Sequence, residues 1–552
     1  MNSINTVIMV RNKRRLCPLV IAMGSILLTA CGEDSQATFN KATKAPPDTA
    51  LISTLIDKPQ PIKQIRATDL DQMLGKIDPY AASLTPTAKC DVQIDKITYR
   101  TVGAGGEPTT ATAAVMLPAG NNVADCGGER PILLYAHGTA VTKAYDFTQV
   151  GHVDNEAGVR ATNIAANFAA QGYVVVAPNY AGYDTSPLTY TPYLNAKQQS
   201  HEMATALASA RAAIKLKTTS QAIKDSGKLF ISGYSQGGHT ALATAQYLQL
   251  KGEPVTALAP MSGPYAMAAF GDQIFMGAVN IGATVFAPMI AISYQKQYGN
   301  LYNQPSELIT GKYANSIETL IPGKKGFNEL FLSGALPMTA LFEQNPVGYP
   351  VLQGLSPKDA RFAYGFSADD YLVNTDFRAK YVADAIKNPD GIMLGLANGD
   401  NMPMPAADPK SPMRQALKAN DLRNFIPTMP TLFCGGNQDP MVFFDTNTGS
   451  MNKILTSIAN GKANNIKLDI SILDVDATNA NRRQQPTLSF IGNGNEHQTT
   501  LKTAQQDVQA KFADSYGKLA KQSAVLLQSG YHSTLVAPAC TAAVRAYFAE
   551  FK

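Results

Sequence analysis

Two hydrophobic periods take turns along most of this chain. Pro131–Ala136, Tyr173–Ala177, Leu229–Ile231, Val255–Leu258 and Met429–Cys434 are short runs with almost no polar residue, and Ile466–Leu473, which alternates apolar with polar positions, reads as the last strand. Each reads as a strand, and the continuous run Pro131–Ala136 as one buried on both faces. Between and after them, the stretches 158–171, 199–217, 240–248 and 537–551 place Ala and Leu at helical spacing. Strand and helix in alternation predict an α/β fold, a mostly parallel sheet flanked by helices, with its site at the carboxyl ends of the strands. Ahead of this region, Asp95–Val102 and Thr109–Leu117 are rich in β-branched residues and are separated by Gly103-Ala104-Gly105-Gly106. They predict an antiparallel pair at one edge of the sheet.

From residue 262 to about 424 the alternation lapses. Ile274–Ile292 is strongly apolar, but Asn280, Gly282, Thr284 and Pro288 interrupt it and it follows directly on a sheet strand. A membrane span is therefore not expected there. The segment reads as a helical cap inserted into the main domain, its apolar helix facing either a pocket or the cap's own core. The expected organisation is a core in two halves, 66–261 and 425–552, around a cap at 262–424. Residues 478–498 are polar and read as a surface excursion.

The N-terminus changes the picture of charge. Arg11, Lys13, Arg14 and Arg15 precede the apolar run Pro18–Leu28, which is a basic stretch and a hydrophobic stretch of secretory type, too short to cross a bilayer. It ends in Leu28-Thr29-Ala30-Cys31, which resembles the lipobox of bacterial lipoproteins. That resemblance implies removal of residues 1–30, lipidation of Cys31 and a membrane anchor followed by a flexible tether over 31–65. Gly32 lacks an acidic retention signal, which points to the outer membrane. Residues 1–30 hold four basic and no acidic residues, so the formal charge falls from +5 to +1 without them. A nucleic-acid role then has no electrostatic basis. Cys90, Cys126, Cys434 and Cys540 remain, an even set in an exported chain, and allow three pairings. Cys90 with Cys126 and Cys434 with Cys540 would join neighbouring parts of the expected fold. No C-x-x-C spacing occurs, so no metal is expected.

The chemistry centres on Leu229–His239, where Gly233-Tyr234-Ser235-Gln236-Gly237 fits G-x-S-x-G between a strand and a helix. Such a turn pushes the serine hydroxyl out above the sheet and leaves the next amide free at the helix start. A serine nucleophile needs a base, and the base needs a carboxylate to hold one tautomer. Asp439, just past a strand in Gly435-Gly436-Asn437-Gln438-Asp439-Pro440, and His532, in a loop before the last helix, supply these in the order Ser, Asp, His. Asp445 is the alternative acid and His497 the alternative base. His239 reads as structural, and His152 and His201 as surface residues.

These motifs, with His137-Gly138-Thr139, resemble the α/β-hydrolases over nearly all of residues 92–552. The elbow, the Pro178-Asn179-Tyr180-Ala181-Gly182 loop and the large insertion before the acid are similar to secretory lipases and related bacterial esterases, although Asn179 stands where those lipases often carry an acidic residue. The resemblance implies a cofactor-free serine hydrolase of carboxylic esters. It gives His137 a part in shaping the oxyanion loop, with the amides of Gln236 and Thr139 as oxyanion donors and Ala140 as the alternative to Thr139. The partner would be a small-molecule or lipid ester. A peptidase of the same fold and a non-catalytic surface-binding lipoprotein are the other classes.

Overall fold

Ten strands form one sheet in the order β1-β2-β3-β5-β4-β6-β7-β8-β9-β10. They are β1 (Gln60–Ile65), β2 (Asp91–Val102), β3 (Pro108–Ala119), β4 (Glu129–Ala136), β5 (Val174–Pro178), β6 (Lys224–Tyr234), β7 (Ala257–Met261), β8 (Thr431–Gly435), β9 (Asp469–Asp474) and β10 (Leu488–Gly492). The computed structural model describes residues 51–216, 223–355, 359–394, 401–460, 467–482 and 486–552. The apolar N-terminal stretch, Cys31 and the first part of the expected tether lie outside the described residues. The central strands from β5 through β9 run parallel, and the pairs at either side of them are antiparallel. This is the α/β-hydrolase fold.

The sheet is wider than its apolar runs suggest. The segment expected to be tether up to residue 65 ends in β1, which pairs with β2, and Leu55 bridges to Tyr99. β1, not the β2–β3 hairpin, is therefore the edge. At the other side, β10 lies within the stretch read as a polar excursion and pairs antiparallel with β9 from Leu473↔Leu488 to Asp469↔Gly492. Both are edge strands with one face towards solvent, and their mixed composition hides them from a search for continuous apolar runs.

Six helices matter for the site: α1 (Gly158–Asn167), α2 (Ala196–Lys215), α3 (Gln236–Lys251), α4 (Ala283–Tyr298), α5 (Gln498–Gln522) and α6 (Ala537–Ala549). α3 lies deep because Gly237 and Gly238 let it touch the sheet: a Cβ on Gly237 would fall 2.0 Å from the carbonyl oxygen of Ala136, and one on Gly238 2.5 Å from that of Met261. α5 buries only the stripe Leu501, Val508 and Phe512, too thin a pattern to show as a helix in the sequence.

Between β7 and β8 the chain builds the cap, mostly from short helices around its own apolar core. On α4, Val285, Met289 and Tyr294 are buried in cap packing while Phe286, Ala287 and Ile290 line a cavity, so the helix serves both expected roles. Arg414 clamps the cap internally, pairing through Nη2 with Asp272 at 2.7 Å and through Nη1 with Asp384 at 2.9 Å. Among the described residues no helix is long and apolar enough to cross a membrane. Disulfides join Cys90 to Cys126 and Cys434 to Cys540.

Candidate active site

Ser235 occupies the single residue between β6 and α3, with φ 61° and ψ −121°. A non-glycine residue holds such a backbone only where its surroundings enforce it. Here its N–H donates to the carbonyl of Met261 at 3.0 Å, and the close approach of neighbouring chain admits only glycine at 233, where a Cβ would lie 2.2 Å from the oxygen of Gly237. Gln236 is the first residue of α3, so its N–H has no carbonyl partner within the helix.

Asp439 lies in the loop after β8. Its Oδ1 accepts the N–H groups of Met441 at 2.9 Å and Val442 at 3.0 Å, and its Oδ2 lies 2.5 Å from Nδ1 of His532. An ionised carboxylate only accepts, so Nδ1 carries the proton and Nε2 keeps its lone pair. That Nε2 is buried and has no partner among the described residues. His532 is in a π-helical turn, Tyr531–Val536, running directly into α6, rather than in the loop expected from the sequence. The Tyr234 hydroxyl donates to the His532 carbonyl at 2.5 Å and fixes the base from below. Single π turns in helices are common at functional sites because they re-aim one side chain.

Ser235, His532 and Thr139 line one open groove. Ser235 and Gln236 also line a second, narrow and almost wholly apolar cavity that runs under the cap past Met267, Phe270, Ile274 and Ile290. The two spaces share Ser235, Phe286 and Met441. Thr139 is pinned by a 2.7 Å hydrogen bond between its hydroxyl and that of Tyr193. His137 stacks on Tyr180 at 4.0 Å, its Nε2 lies 3.2 Å from the Asn179 carbonyl, and burial pushes its pKa down to about 4, so it is neutral at ordinary pH. Asn179 takes the place of an acidic residue without leaving a gap: its Oδ1 accepts the N–H of Phe147 at 2.8 Å and its amide donates to the hydroxyl of Thr112 at 2.9 Å.

The remaining sequence candidates lie elsewhere. Asp445 has a side chain 75% exposed and pairs with Arg482 at 2.9 Å. His497 is not the loosely held residue its polar surroundings imply, since it is buried between Glu550 (2.5 Å) and Asp469 (3.1 Å). His239 is buried with Nε2 2.8 Å from the Asn420 carbonyl, and His152 and His201 are exposed. Among the described residues no cluster of His, Cys, Asp and Glu could hold a metal ion. Sequence reasoning missed Tyr234, and it missed Glu156, whose carboxylate receives the N–H groups of Val141 at 3.0 Å and Thr142 at 2.8 Å and so holds the loop after Thr139. Glu156 has no motif around it, and only the folded loop reveals it.

Comparison with known proteins agrees with this architecture. A family model described as secretory lipase matches residues 157–298, the stretch holding the elbow and the start of the cap. No curated protein matches the chain. Among solved structures, the ligand-bound form of the rice cell wall degrading esterase LipA from Xanthomonas oryzae is 25% identical, with a TM-score of 0.58 over 78% of this chain and 92% of that one. Another crystal structure of that esterase is 24% identical, with a TM-score of 0.58 over 79% and 93%. A Legionella pneumophila protein at 20% identity shares the fold with a TM-score of 0.54, over 76% of this chain and 91% of its own. The chain is an α/β-hydrolase similar to secretory lipases.

Proposed function

We propose that this protein is an exported serine hydrolase of carboxylic esters, an esterase or lipase, acting through Ser235, His532 and Asp439. The observation that carries the reading is the Asp439–His532 contact, which leaves a basic Nε2 on the wall of the same groove as Ser235. His532 Nε2 would take the proton of the Ser235 hydroxyl as its oxygen attacks the ester carbonyl. The amides of Gln236 and Thr139 would hold the tetrahedral oxyanion, and His532 would return the proton to the departing alcohol. Water, deprotonated by the same Nε2, would then attack the acyl group on Ser235, and collapse of the second tetrahedral intermediate would free the acid and restore the hydroxyl. The apolar cavity under the cap suits the acyl group and the open groove suits the alcohol.

The similarity to a secretory lipase model and to an esterase supports ester cleavage over the peptidase or binding alternatives. Export, with Cys31 as the lipid-bearing residue of an outer-membrane lipoprotein, rests on the sequence of the N-terminus. A fluorophosphonate probe tests the enzyme: the folded protein should label, and Ser235→Ala should not. Absence of labelling would favour a binder, and cleavage of aminoacyl amides in preference to nitrophenyl esters would favour a peptidase.

A further inference from the structure

We propose that the acyl group taken by this site carries a neutral hydroxyl, so that the natural substrate is a hydroxyacyl ester. This rests on the ester-hydrolase reading and extends it to the acid half of the substrate.

Besides Ser235, the polar residues lining the cavity under the cap, among the described residues, are Tyr193, Gln236 and Asn280. The Tyr193 hydroxyl is engaged by Thr139. The other two are amides almost wholly removed from solvent, Gln236 at 1% and Asn280 at 3% exposure. Asn280 Nδ2 donates to the Met441 carbonyl at 2.7 Å, which settles which way the amide is turned. Its Oδ1 is buried and accepts from no group among the described residues. Gln236, adjacent to the nucleophile, has both Nε2 and Oε1 buried without a partner among the described residues.

Buried polar atoms are almost always satisfied by protein, water or ligand, and what sets these apart is that their residues line the cavity beside the nucleophile, where a ligand group supplies the match. An alkyl acyl chain would keep all three atoms unmatched, at a cost in binding. A hydroxyl offers a donor for Asn280 Oδ1 and an acceptor for Gln236 Nε2. A ketone could serve only the second. A carboxylate would enter a lining that, among the described residues, holds no Lys or Arg, and burying it there would be unfavourable. A neutral hydroxyl is the substituent that answers both signs.

The test compares p-nitrophenyl hexanoate with its 2-, 3- and 6-hydroxy derivatives on the full-length protein, the 4- and 5-hydroxy esters being left out because they close to lactones unaided. At least one isomer should exceed hexanoate by about tenfold in kcat/KM. Asn280→Leu, and separately Gln236→Met, which keeps its backbone amide, should cut that preference, read as the ratio of the two kcat/KM values within each variant, to within about threefold. Gln236→Met keeps the test open should Asn280→Leu fold poorly through loss of the Met441 contact. If every isomer matches or falls below hexanoate, the polar subsite is overturned while ester hydrolysis stands. If the folded protein cleaves none of these esters and does not label with fluorophosphonate, the enzymatic reading falls and this inference with it.

Discussion

The hydroxyl of Tyr531 donates to Asp476 Oδ2 at 2.5 Å and accepts the backbone N–H of Gln438 at 3.1 Å. Tyr531 precedes the base and Gln438 precedes the acid, so one buried phenol sets the π turn of the base and the loop of the acid against the end of β9. Gln438 Nε2 reaches the same Asp476 oxygen at 2.8 Å, and Asn437 donates to the Asp476 carbonyl at 2.6 Å. Gly436 makes room for the ring, since a Cβ there would stand 2.8 Å from the phenol oxygen.

Tyr531→Phe is therefore expected to lower kcat by about tenfold with little change in KM, because it loosens the acid and base without touching either cavity. Steady-state kinetics on esters, with the fold checked by thermal melting, reads this out. Equal losses in kcat and stability at a distant control site would count against a positioning role.

Asp439→Asn replaces an acceptor of the Nδ1 proton with an amide and favours the tautomer that blocks Nε2. Loss of about 10³–10⁴-fold in kcat is expected by analogy with other triads. Asp445→Asn, at an exposed ion pair, should leave kcat within about twofold. Parallel kinetics on the two variants discriminates the acid directly.

The two disulfides should differ in worth. Cys434–Cys540 closes a separation of 106 residues and Cys90–Cys126 one of 36. By chain entropy, removal of the longer link should cost about 1 kcal/mol more than removal of the shorter. Denaturant unfolding of the paired Cys→Ala variants measures the difference. The longer link also ties the strand before the acid loop to the helix after the base, so its loss should reduce activity first.

His497 gives a pH signature. Burial alone would lower its pKa, but hydrogen bonds and charge from Asp469 and Glu550 outweigh that and raise it. The folded state therefore prefers the protonated ring. Its stabilisation is complete below the unfolded value near 6.5 and is lost as pH rises through the folded value. His497→Leu should cost on the order of 1 kcal/mol at pH 6 and less at pH 9, measured by unfolding at both pH values.

Much of the fold was legible because continuous apolar runs mark strands buried on both sides, as at Ile132–Ala136 and Val174–Ala177. The edge strands β1 and β10 were not, since a half-exposed strand has no such run. The Asp439–His532 pairing was readable from residue type, order and position at element ends. Glu156, Tyr234 and Tyr531 were not, because each acts on a loop far away in sequence and carries no local motif. The π turn at His532 was hidden for another reason. It is a change of hydrogen-bond register, which residue periodicity does not encode.

β7 ends at Met261, and the chain returns to the sheet on the adjoining parallel strand at Thr431. A crossover between such neighbours needs about a dozen residues, and this one runs from 262 to 430. Almost all of that length is surplus to the architecture beneath it, so a descendant could acquire a different appetite by exchanging its roof while inheriting the same machinery. Ile281, whose N–H donates to the Pro440 carbonyl beside the acid, marks the seam that any replacement would have to reproduce.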